Sequence, residues 1–141
     1  MKKFLSCAFI LAVFLCMPLA HGRSENMPQF KDYPILLTSA GNAEKTVHDA
    51  IVKAAIRRGW RVVQDTPNVL RLSLDVRGKH QVAIEVKIDG GNASVNYINS
   101  TNLNYSKDDE GRESIHPSYR KWVTTMLKDA AREAEAKVSG I

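Results

Sequence analysis

The chain has almost no cysteine. Its 141 residues include two, Cys7 and Cys16, and both fall inside an apolar N-terminal run. If that run is removed, the remaining domain has no disulfide, no thiol nucleophile and no thiolate metal ligand. Such a domain must be held together by its packed core. Aromatic residues are also few, at 7%. The charge excess is small, with 20 Lys and Arg against 15 Asp and Glu, and the basic residues are scattered along the chain. Nucleic-acid surfaces are dense and one-sided, so nucleic acid is not an expected partner.

Several catalytic signatures are absent too. There is no G-x-S-x-G elbow and no histidine pair with the spacing of a helical zinc site. Gly41-Asn42-Ala43-Glu44-Lys45-Thr46 ends like a phosphate loop, but Glu44 stands where glycine is required and would repel phosphate. Asp108-Asp109-Glu110 clusters carboxylates without the spacing of a calcium loop, between Lys107 and Arg112. The sequence therefore predicts no metal, no cofactor and no assigned catalytic residue.

What is present begins with an address. Lys2 and Lys3 precede an apolar run from Phe4 to Met17, then Pro18 and the small-residue site Ala20-His21-Gly22. This is the layout of a secretory signal peptide over residues 1–22. The run falls short of the roughly 20 residues a membrane span needs. Cleavage after Gly22 removes two of the positive charges behind the formal +5. Leu15 precedes Cys16 where an acylation motif places a small residue, so lipidation at Cys16, the one route to membrane anchoring, is not expected. The expected location is periplasmic or secreted, and the alternative is a lipid anchor in the envelope.

Residues 23–41 read as a polar leader with a candidate edge strand at Pro34 to Ser39. Residues 42–139 read as a single α+β domain. Asn42 is placed to cap a helix whose apolar face is Val47, Ala50, Ile51 and Ala54, and Gly59 follows as its stop. Four runs then alternate with period two, beginning at Trp60, Leu70, Val82 and Ala93, and short turns join them. Residues 99–114 are polar and read as a long loop. Pro117 is placed as a first helical residue, with His116 before it as the cap. Tyr119, Trp122, Val123, Met126, Leu127, Ala130 and Ala134 form a helical stripe. The expected fold is a four-stranded antiparallel meander with two helices packed on one face, in the order helix-β-β-β-β-helix.

Arg58-Gly59-Trp60, Arg77-Gly78-Lys79-His80, Ser100, Asn102-Leu103-Asn104-Tyr105 and Ile115-His116-Pro117-Ser118-Tyr119-Arg120-Lys121-Trp122 occur in that order. The order resembles a family of small exported bacterial proteins and lipoproteins of uncharacterised function, with a pattern RGW, RxH, SxNLxY, IHxxYxxW. The resemblance spans roughly Ala50 to Leu127 and implies an envelope location, with no activity to carry over.

Arg77, His80, Asn102, Tyr105, His116 and Tyr119 flank turns or the start of the last helix, where the polar loop must pass. They are the candidate ligand- or partner-binding residues. The same groups could instead form a clasp that pins the loop. The expected function is a non-enzymatic envelope domain that binds a small ligand or an envelope protein. The alternative is a small hydrolase or other enzyme using His80 or His116 as acid or base.

Overall fold

The computed structural model describes residues 22–38 and 41–140. The signal-peptide reading, Cys7 and Cys16 lie outside the described residues. The protein is α+β, with two helices and two antiparallel sheets.

Helix α1 spans Ala43–Arg57 and ends as its sequence dictates. Gly59 follows at φ +85°, a left-handed conformation that costs glycine little, and its N–H donates to Ile56 O. Asn42 precedes the helix, but its side chain makes no capping hydrogen bond; only its carbonyl is used, by Thr46 N. Helix α2 spans Ser118–Ser139. Pro117 already has helical dihedrals, and His116 Nδ1 accepts from Ser118 N at 3.1 Å. His116 therefore caps the helix through its imidazole.

The four expected strands are present, each antiparallel to the next: β3 (Trp60–Thr66), β4 (Val69–Val76), β5 (His80–Asp89) and β6 (Asn92–Thr101). They do not stand alone as a four-stranded meander. The leader contributes β2 (Phe30–Pro34), which pairs with β6 and completes a five-stranded sheet of order β2-β6-β5-β4-β3. A second sheet, β1-β8-β7, joins β1 (Glu25–Asn26) to the hairpin of β7 (Ser106–Lys107) and β8 (Glu113–Ile115). The edge strand ends at Pro34 instead of starting there, and the polar stretch 99–114 carries strand pairing along with its loops.

The physical reasons are local. Phe30 and Tyr33 pack against the core from a segment that is otherwise polar, and β2 covers an edge of β6 that would otherwise be left unpaired. Ile35 and Leu36 are 1% and 5% exposed, and both donate their N–H groups to Gly91 O. A Cβ on Gly91 would meet Leu36 O at 2.3 Å, so this turn demands glycine. Ser106 and Ser114 bridge β7 to β8 at 2.8 Å through their hydroxyls, which lets exposed polar side chains hold a short hairpin.

The core lies between the large sheet and the helices. Leu72, Ile84, Val86, Val123 and Leu127 belong to one buried cluster, with Arg71 and Glu85 on the opposite sheet face and more exposed. Carboxylates of α2 reach across to α1. Arg58 Nε donates to Asp129 at 2.6 Å, and Arg57 donates to Glu133 at 2.6 Å.

Two β-bulges decide what lies near the ends of the sheet. In β6, Asn99 pairs with Ala83 and Tyr97 with Ile84, leaving Ile98 as the extra residue. This turns Ser100 to the same side as Tyr97, and their hydroxyls meet at 2.8 Å. In β3, Gln64 pairs with Arg71 and Val62 with Leu72, leaving Val63 extra and exposed. Asp65 is then opposite Leu70 and faces the helices.

Candidate functional site

The structure gathers most of the sequence-selected residues at one end of the sheet. Asn102 and Asn104 adopt positive φ, +57° and +49°, which asparagine tolerates. Between them Leu103 is driven into the core at 1% exposure. Asn102 Nδ2 donates to Lys79 O at 2.7 Å, and the Asn102 carbonyl lies 2.8 Å from His80 Nδ1. One residue later, Leu103 O accepts from His116 N at 2.7 Å. The loop is thus tied to the β4–β5 turn on one side and to the start of α2 on the other.

Tyrosines complete this arrangement. The Tyr105 ring stacks on Tyr97 with centroids 4.6 Å apart, and Tyr97 meets the buried Tyr119 edge-to-face at 6.0 Å. Tyr105 Oη donates to Glu113 Oε1 at 2.8 Å, and this bond to a carboxylate holds its phenol above the ordinary value. Burial raises the phenols of Tyr97 and Tyr119, Tyr119 the more strongly. Arg77 stands apart. It is exposed in the β4–β5 turn at φ +58°, and no side-chain hydrogen bond holds it among the described residues. His80, Asn102 and His116 are thus tied through backbone groups, Tyr105 through the Glu113 carboxylate, and the Tyr119 side chain joins them only by ring packing against Tyr97.

Neither His80 nor His116 forms an ion pair with a carboxylate among the described residues. No serine, cysteine or threonine hydroxyl lies at hydrogen-bond distance from an imidazole there either. Among the described residues, no group of three or more His, Cys, Asp or Glu is placed to hold a metal ion, and no helix is long and apolar enough to cross a membrane.

A second constellation was not singled out in the sequence. At the N-terminal end of α1, His48 Nε2 lies 2.8 Å from Asp65 Oδ1, and His48 Nδ1 lies 3.3 Å from Asp49 Oδ1. Lys45 and Lys137 both reach Asp49 Oδ2, at 2.8 and 3.0 Å, and hold its carboxyl well below the usual carboxylate range. Lys45, His48, Asp49 and Asp65 line a groove of about 650 Å³ between α1 and the β3–β4 turn, whose other walls include Ala43, Glu44, Thr66 and Pro67. Alternation could not reveal Asp65 as a helix-facing residue, because the Val63 bulge reverses its phase. His48 is next to Val47 on the helical stripe, and its i, i+1 spacing to Asp49 carries no recognisable motif.

No protein-family model, curated protein or solved structure significantly matches the chain.

Proposed function

We propose that this chain is an exported cell-envelope protein whose α+β domain binds a ligand or protein partner without catalysing a reaction, and that the α1 groove is its binding site. The groove is the observation that carries the reading. Its volume falls in the range of small-molecule sites, roughly 300–1,000 Å³, and it combines apolar walls with polar side chains fixed by ion pairs. Both ring nitrogens of His48 already face carboxylates, so it serves better to shape the groove than to take a proton from a substrate. The N-terminal signal pattern and the family resemblance support the envelope location. The clasp residues support the site indirectly by fixing the opposite end of the sheet.

Site-specific photo-crosslinking in intact cells tests this proposal. A photoreactive residue at Thr66, in the groove, should give a discrete adduct that disappears in an Asp65→Ala background. The same group at Arg77, in the turn at the opposite end of β4, should give none. An adduct from Arg77 and none from Thr66 would move the site to the clasp end.

A further inference from the structure

Beside the clasp is a small cavity that the groove reading does not use. It measures about 170 Å³ and opens between the segment before β2 and the middle of β6. Tyr119 lines it. The residue is only 1% exposed, yet its hydroxyl has no hydrogen-bond partner among the described residues. No buried side-chain oxygen or nitrogen is left sealed without a partner among them, so the exposure that Tyr119 retains is at its hydroxyl, facing the cavity. A nearly buried hydroxyl left open in this way points to something that bonds it.

The lining is largely polar and includes one carboxylate, Glu113. Glu113 lines the cavity, and its Oε1 is engaged by Tyr105 Oη and lies 4.0 Å from Lys107 Nζ. Its Oε2 has no partner among the described residues. Gln29 and Asn96 border the space with side-chain amides, and Met27 and Val95 give it an apolar wall. An anion would meet the Glu113 carboxylate. A neutral alcohol could bond both groups but would bring no charge to a carboxylate whose nearest cation, Lys107, sits at 4.0 Å and does not line the cavity. A small alkylammonium ion satisfies both the open hydroxyl and the carboxylate through its N–H donors, and rests its short chain on the apolar wall.

We infer that the Tyr119–Glu113 cavity is a binding site for a small primary ammonium group carrying a short alkyl chain. The site is independent of the α1 groove. The phenols of Tyr97 and Tyr119, both held above their ordinary value, stay neutral beside the bound cation and can accept from it.

A matched ligand series tests the assignment. The purified protein is titrated with n-propylammonium, n-propanol and propionate, and the ring resonances of Tyr97 and Tyr119 are followed by NMR. Propylammonium should give saturable shifts of both rings, while propanol and propionate bind far more weakly. Glu113→Gln, at a partly exposed position, should weaken the cation by about tenfold or more. Lys107→Ala removes a competing cation and should tighten it. Absence of saturable shifts would overturn the site and leave a water-filled cavity. Propanol binding as well as propylammonium, an unchanged affinity in Glu113→Gln, or weaker binding in Lys107→Ala would overturn the ammonium assignment.

Discussion

His48 on α1 and Asp65 on β3 meet at 2.8 Å across a groove, and they do so because one residue, Val63, is bulged out of the sheet edge. The pair is partly solvated, with Asp65 more than half exposed. Exposed ion pairs contribute little, so Asp65→Ala should change the unfolding free energy by less than about 1 kcal/mol. Urea denaturation checks this, and a loss several times larger would show that the pair is structural.

Asn102 should matter more for stability. Its side chain holds the Lys79 carbonyl, its backbone takes a positive φ, and its carbonyl receives His80. Asn102→Ala should cost about 1–2 kcal/mol from the lost bond and the strained dihedral together. Asn102→Gly should recover part of this, because glycine adopts the same φ freely. Equal losses in the two variants would remove the backbone from the explanation.

The core carries most of the stability. Leu72 is 1% exposed on the inner sheet face, and Leu127 is fully buried on α2. Truncating either to alanine should cost about 2–5 kcal/mol, depending on how far the cavity collapses. Calorimetric unfolding of the two variants measures it, and losses below about 1 kcal/mol would contradict the packing described.

Acid should loosen the contact between the helices. Arg58 holds Asp129 below the ordinary carboxylate range, Lys53 and Arg57 do the same to Glu133, and Lys45 and Lys137 to Asp49. These groups bind protons more readily when the chain unfolds. Their stabilisation is therefore complete above the unfolded value, near pH 4, and is lost as pH falls through and below it. The melting temperature should be nearly level from about pH 7 to 5 and fall below about pH 4. Asp129→Asn should melt lower at neutral pH and show a shallower acid decline. A melting temperature that rises on acidification would contradict the assignment.

Much of this fold was legible because period-two and period-3.6 patterns report burial directly. Leu72, Ile84, Val123 and Leu127 lie where alternation and helical spacing place them. Gly59 and His116 end and begin helices as their chemistry predicts. Patterns fail where a single residue changes phase or where the backbone does the work. The Val63 bulge hid Asp65, and with it the His48 contact. The leader reads as polar because β2 contributes only Phe30 and Tyr33 to the core, while its pairing with β6 runs through backbone groups common to every residue. The path of the polar loop brings Asn102, Tyr105, His116 and Tyr119 to one end of the sheet. The bonds that tie the loop there depend on positive-φ asparagines that no periodicity records.

On the proposed function, the α1 groove binds while the clasp at the opposite end of the sheet pins the loop. This division of roles is tested most directly by measuring unfolding free energy and Thr66 crosslinking yield on the same two variants, Asp65→Ala and Asn102→Ala. Asp65→Ala should leave stability within about 1 kcal/mol of the parent and abolish the adduct. Asn102→Ala should lower stability and keep the adduct. The reverse pattern, with the adduct lost on Asn102→Ala at unchanged stability and retained on Asp65→Ala, would contradict the account.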